Sequence, residues 1–60
     1  MSDFSDAHLL NDADSHNNQG LELLRQGKPD EAVAEFCRAI ELRPNFLGAY
    51  MNIAATFRNA

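Results

Sequence analysis

Residues 27–44 have the sequence GKPDEAVAEFCRAIELRP, which predicts one amphipathic helix with a turn at each end. Gly27 suits the left-handed conformation just after a helix, and Pro29 suits the first turn of the next one. Because Pro44 cannot continue a helix, the helix is expected over residues 30–42. Within these limits, apolar residues recur at three- and four-residue spacing, as on a buried helix face. They are Ala32, Val33, Phe36, Ala39 and Ile40.

The flanking segments predict one further helix on each side. The first covers about residues 14–26, and the last covers about residues 47–59, with Asn45 as its candidate cap. Ser5 is a candidate cap for a short lead-in helix, and no segment alternates as a strand would. The predicted fold is therefore all-α: an antiparallel helix-turn-helix with a third packing helix and, as an option, the lead-in helix.

Length, charge and cysteine content restrict the function. Sixty residues make one domain, which buries only about 60% of the surface that its unfolded chain exposes. The net charge of −4 argues against nucleic acid as a partner, since phosphates require clustered Lys and Arg. Residues 1–12 hold no Lys or Arg and no long apolar run, so we expect no signal peptide and no membrane contact. Cys37 is the only cysteine, which fits a reducing compartment and a cytoplasmic location.

The order of small and large residues in the predicted helix pair has a specific spacing. Gly20 stands twelve residues before Ala32, and Phe36 follows four residues after Ala32. Ala39 and Pro44 complete the second helix. This spacing resembles the tetratricopeptide repeat family, in which each repeat is a helix pair with a period of 34 residues.

A shift of 34 residues aligns the first predicted helix with the third, and it places Asn18 on the identical residue Asn52. The resemblance therefore covers one full repeat, residues 13–46, and the first helix of a second, residues 47–60. Residues 1–12 are an acidic segment that we expect to be partly ordered at most. The repeat-signature residues expected to pack are Gly20, Ala32, Phe36, Ala39 and Pro44 in the first repeat and Tyr50, Ile53, Ala54 and Phe57 in the second.

The second-repeat signature residues are expected to cover the preceding helix pair. Leu47 and Met51 would then stay open, which predicts contact with another surface. Three occupants fit this face: another copy of the chain, a different protein, or the continuation of a longer array. The first repeat departs from the family pattern at His16, where the family favours Trp, as is typical of a terminal repeat.

The resemblance implies a binding scaffold in which the first helices of successive repeats line a concave groove. The groove-facing residues would be Asn17, Leu21, Leu24, Arg25, Met51, Asn52, Ala55 and Arg58. Arg25 and Arg58 would be candidate carboxylate partners. The alternative is that these residues are only solvated or part of the repeat consensus. The expected partner is a protein or the chain's own copy, as a homo-oligomer with a dimer favoured.

Catalysis, cofactors and metals receive little support from the sequence. It contains no Gly-rich phosphate loop, nucleophile elbow or pair of metal-binding cysteines, so we expect no enzymatic activity and no cofactor. His8, Asp12 and His16 are spaced for one helix face and form a weak candidate metal site, but solvated polar residues are the favoured interpretation. Cys37 is expected at the edge of the packed face rather than as a redox thiol.

The predicted function is a protein–protein interaction module that acts by docking or by self-association through exposed helix faces. The alternative is a non-catalytic N-terminal docking segment of a larger enzyme that carries such repeats, for example a glycosyltransferase or a multienzyme synthase.

Overall fold

The computed structural model describes the backbone of residues 2–59 and the side chains of residues 12–59. Three helices make up this part of the chain: α1 (Ser2–Arg25), α2 (Pro29–Leu42) and α3 (Leu47–Asn59). Residues 2–59 contain no strand, so the all-α prediction is confirmed. Within these same residues, no helix combines the length and apolar character that crossing a bilayer requires.

Helix α1 is longer than the sequence patterns predict. It starts at Ser2 and runs unbroken to Arg25, so a separate lead-in helix from Ser5 does not form. The physical reason is that residues 2–19 contain neither Pro nor Gly, and nothing interrupts the hydrogen-bond ladder. The expectation that residues 1–12 are partly ordered at most stays a prediction, because the side chains of residues 1–11 lie outside the described residues.

The turn between α1 and α2 follows the prediction. Gly27 has a φ of +79°, the left-handed conformation that glycine adopts without strain. The N–H of Lys28 donates to the carbonyl of Leu23 at 2.9 Å, and the N–H of Gly27 donates to that of Leu24 at 3.0 Å. This pair of bonds is a Schellman motif, which satisfies the last carbonyls of α1. Pro29 then opens α2 as predicted.

Helices α1 and α2 pack antiparallel around the ring of Phe36, which is the largest fully buried side chain among the described residues. The ring lies against Gly20, where an added Cβ would sit only 2.7 Å from the ring atom Cδ1. Ala32 is also fully buried. Small residues on both helices therefore let the backbones approach closely enough for one aromatic ring to fill the space between them.

A second core lies where the three helices meet. Ala13 of α1, Ala39 of α2 and Ala49 of α3 are all fully buried and form one cluster. Ile40, Leu42 and Phe46 pack around this cluster and are partly buried. Because alanine is so small, the three backbones come together at this corner, and no larger side chain would fit between them.

The turn between α2 and α3 holds the corner in place. The guanidinium of Arg43 lies 4.5 Å from the centre of the Phe46 ring and 3.5 Å from the carboxylate of Asp14 on α1. The carbonyl of Phe46 accepts the first helical bonds of α3, so Phe46 is the N-cap instead of Asn45. The predicted bounds of α3 agree with the structure.

The face of α3 that packs on α1 and α2 differs from the predicted one. The prediction that Tyr50, Ala54 and Phe57 cover the preceding helix pair is wrong, because all three are exposed. Only Ile53 of the four signature residues is half-buried as expected. The inward face of α3 consists mainly of small and polar residues, namely Ala49, Asn52, Ile53 and Thr56. The start of α3 packs closely on the cluster formed by Ala13, Ala39 and Ala49. Because only small residues fit there, this face turns inward instead of the bulkier one.

Candidate functional site

Helices α1 and α3 lie side by side and run in the same direction, since Ala13 meets Ala49 and Asn17 meets Asn52. The side-chain amide of Asn52 donates to Oδ1 of Asn17 at 2.9 Å. Thr56, which is only 6% exposed, donates its hydroxyl to the backbone carbonyl of Asn52 at 2.7 Å. The first bond joins the two helices, and the second satisfies the Thr56 hydroxyl within α3.

A groove of about 310 Å³ opens between the far ends of these two helices. Leu24 and Ala55, both predicted as groove residues, lie on its two sides. The other lining residues were not predicted as groove residues, and they are Gly27, Pro29, Thr56 and Asn59. The first two were interpreted only as turn residues, and the others lie on the groove side of α3. Thr56 and Asn59 follow Asn52 and Ala55 by four residues, so helical spacing could have identified both as groove residues.

Four other predicted binding residues are exposed and do not line this groove, namely Leu21, Arg25, Met51 and Arg58. Leu21 is 40% exposed and Met51 is 70% exposed, as expected for contact positions. Arg25 is exposed and donates to Glu22 one turn earlier at 2.9 Å, which is a weak surface pair. Arg58 is exposed and forms no ion pair with residues 12–59. Of the two arginines, Arg58 therefore has the guanidinium that a ligand carboxylate would meet without competition.

The opposite side of α1 carries a polar contact to α2. Nδ1–H of His16 donates to Oε1 of Glu35 at 2.7 Å, and Arg38 donates to Oε2 of the same carboxylate at 3.1 Å. His16 therefore joins the two helices at the position where the resemblance predicts Trp. In residues 12–59, no three His, Cys, Asp or Glu side chains are grouped to hold a metal ion. The side chain of His8 lies outside this range, so that candidate site stays a prediction.

The outward side of α3 carries most of the large apolar residues of this helix. Of the five large hydrophobic residues that are exposed among the described side chains, four lie on this helix. They are Leu47 at 72%, Tyr50 at 47%, Met51 at 70% and Phe57 at 66% exposure. Ala54 lies among them and is exposed too. We refer to Leu47, Tyr50, Met51, Ala54 and Phe57 as the outer face of α3.

This arrangement of helices agrees with a comparison against known families. Residues 13–46 match the family model described as tetratricopeptide repeat, which covers more than half of the chain. The chain belongs to the tetratricopeptide repeat family. In this repeat the family signature is visible as the contact of Gly20 with Phe36 and the buried Ala32 and Ala39. No curated protein and no solved structure matches the chain.

The order of contacts also agrees with a tetratricopeptide repeat followed by one more helix. Helix α3 lies beside α1 in the same direction, as the first helix of a following repeat does. Ala54 on α3 is the 34-residue equivalent of Gly20 on α1, but no helix covers it within residues 2–59. The outer face of α3 is therefore the surface that, on α1, is buried by α2.

Proposed function

We propose that the chain is a protein-interaction module that acts by binding and carries out no reaction of its own. Membership of the tetratricopeptide repeat family supports protein partners in general. The finer proposal is that the partner is bound by exposed helix faces, either those of the α1–α3 groove or the outer face of α3. We further propose that this takes place in the cytoplasm, on the basis of the single thiol of Cys37.

The concentration of exposed apolar side chains on α3 is the observation that supports this proposal most strongly. An apolar helix face is normally buried against another surface. Helix α3 buries one side against α1 and α2, while Leu47, Met51 and Phe57 on the other side are each about two-thirds exposed or more. Contiguous apolar surface of this kind marks a contact site.

The α1–α3 groove supplies a second surface. Leu24 and Ala55 lie on its two sides, so it suits an apolar side chain of a partner. Asn59 lines the end of the groove, and Arg58 is exposed next to it in the sequence. A partner that presents an apolar residue together with a carboxylate would use both features.

Photo-crosslinking tests the proposal. A photoreactive phenylalanine analogue would be placed at Leu21 or Met51 of the full chain, and the protein would be irradiated in extract of the source cells. Both positions are exposed, so the fold should tolerate the change. We expect adducts of discrete mass that disappear when excess unlabelled chain is added, because specific binding is saturable.

The matched control places the same analogue at Ala34, which is exposed on α2 and outside both surfaces. It should give only weak adducts that unlabelled chain does not compete away. Equal labelling from all three positions, or no competition at any of them, would contradict the proposed function.

A further inference from the structure

We propose that the outer face of α3 pairs with the same face of a second copy, with the two helices antiparallel about a twofold axis at Ala54. This inference rests on the proposed function, because it names the partner of one of the two proposed contact surfaces. It is supported by the spacing of the apolar residues, by the distribution of charge and by the small size of Ala54.

The apolar residues of the outer face are spaced nearly symmetrically about Ala54. Tyr50 precedes it by four residues, and Phe57 follows it by three. In an antiparallel pair centred there, Tyr50 of one copy lies beside Phe57 of the second copy, and this contact occurs twice. Aromatic pairs of this kind are favourable contacts beyond the area that they bury. A twofold interface requires such self-complementarity of one patch.

The charge distribution favours α3 over the exposed sides of α1 and α2 for contact between copies. All nine acidic residues of the chain lie between Asp3 and Glu41, and each copy has a net charge of −4. Contact through α1 or α2 would bring like charges together. Helix α3 contains no acidic residue, and Arg58 is its single charged residue. Pairing through α3 therefore removes apolar surface from water and keeps the acidic helices apart.

Ala54 allows the two helices to approach closely at their crossing point. Packed helices have axes about 8–10 Å apart, and small residues at the crossing permit the lower value. The same chain shows this at the equivalent position of the first repeat, where Gly20 receives the ring of Phe36. Because one pair of short helices buries less than about 1,200 Å², we expect a weak dimer whose population depends on concentration.

A disulfide test locates the twofold axis directly. Cys37 is exposed, so it is first replaced by serine to leave a background without thiols. In this background Ala54→Cys should form a disulfide-linked dimer under mild oxidation, because residues at a close helix crossing meet the requirement of about 4.4–6.8 Å between Cα atoms. Ala34→Cys, on the exposed side of α2, is the matched control and should stay largely monomeric.

Solution mass tests the same inference without a covalent bond. Light scattering of the full chain over a concentration series should show a monomer–dimer equilibrium. Ala54→Glu should shift the midpoint of dimerisation at least tenfold towards higher concentration, because two like charges would meet at the axis. Its helix content, measured by circular dichroism, should equal that of the wild type, since residue 54 is exposed in the monomer.

Three results would overturn the proposed pairing: a monomer at every concentration, equal disulfide formation at positions 34 and 54, or a dimer unchanged by Ala54→Glu. The proposed function would still stand if the photoreactive analogue at Leu21 or Met51 gave saturable adducts with another protein. In that case the outer face of α3 takes a foreign helix. Absence of saturable adducts together with a monomeric chain would reject both proposals.

Discussion

The ring of Phe36 lies against the backbone of Gly20, and this contact sets the distance between α1 and α2. The ring is fully buried, and a Cβ on residue 20 would be 2.7 Å from Cδ1 of the ring. A contact this short cannot be relieved by moving a flexible side-chain end, because the ring is held on all sides. The stability of the helix pair therefore depends on the absence of a side chain at residue 20.

Gly20→Ala is expected to lower the free energy of unfolding. Overpacking of a filled core costs about 1–3 kcal/mol, and the gain in helix propensity of up to about 1 kcal/mol offsets only part of it. Urea denaturation followed by circular dichroism measures the difference. Gly48→Ala is the matched control in α3, since its Cβ would meet only the edge of the Phe46 ring at 3.3 Å. A Gly20→Ala protein as stable as the wild type would contradict the close contact.

Phe36→Leu should destabilise the chain, whereas Phe57→Leu should not. Loss of ring volume at a fully buried site leaves a cavity, and complete removal of such a ring costs about 3–5 kcal/mol, so the leucine variant should lose a measurable part of this. Phe57 is 66% exposed, and its change should stay within about 0.5 kcal/mol of the wild type. Thermal denaturation at low protein concentration compares the two. Equal losses would show that the outer face of α3 is buried in the monomer.

Asn17→Ala and Asn52→Ala should each destabilise the packing of α3 on α1. The bond between their amides is expected to contribute about 0.5–1.5 kcal/mol. In a double-mutant cycle from urea denaturation, the losses should be clearly less than additive, because either substitution alone removes the same bond. Asn18→Ala is the control, since Asn18 is the exposed neighbour on α1. Additive losses would place the two amides apart.

His16→Gln and Glu35→Gln should show coupling across the α1–α2 interface. The two side chains are 31% and 17% exposed and 2.7 Å apart, so part of their bond is shielded from water. We expect a coupling free energy of about 0.5–1.5 kcal/mol from a double-mutant cycle. The exposed pair Glu22–Arg25, measured in the same way, should give at most about 0.5 kcal/mol. Coupling no larger than that of the exposed pair would remove the structural role of His16.

The helix pair could be predicted from the sequence because its signals are local. Gly27 tolerates the left-handed conformation that other residues disfavour, and Pro29 has a fixed φ that suits the first turn of a helix, so they fixed the turn and the start of α2. The regular spacing of Ala32, Phe36 and Ala39 fixed the buried face of α2, since no other face of this helix has comparable apolar content. The repeat period then located α3, whose bounds agree with the structure.

The orientation of α3 could not be predicted in the same way. The most apolar stripe of this helix faces outward, so helical periodicity alone does not decide which side packs on α1 and α2. Large residues such as Tyr50 and Phe57 suggested the wrong stripe. The decision is made by contacts with Ala13 and Ala39, which lie far away in the sequence. Of the groove, Leu24 and Ala55 were predicted and are found on its two sides, while the contribution of the turn residues depends on how α3 is placed beside them.

The cluster of Ala13, Ala39 and Ala49 holds the start of α3 in place, so a tilt of this helix moves its far end most. Ala49 is held between Ala13 and Ala39, and none of these side chains has a rotamer that could change to absorb movement. From Ala49 to Asn59 the helix extends ten residues, or about 15 Å at 1.5 Å per residue. A tilt of about 5° at Ala49 therefore moves Asn59 by about 1.3 Å at that length. Since the far end lines the groove, a ligand that tilts α3 displaces this end of the helix much more than it displaces Ala49.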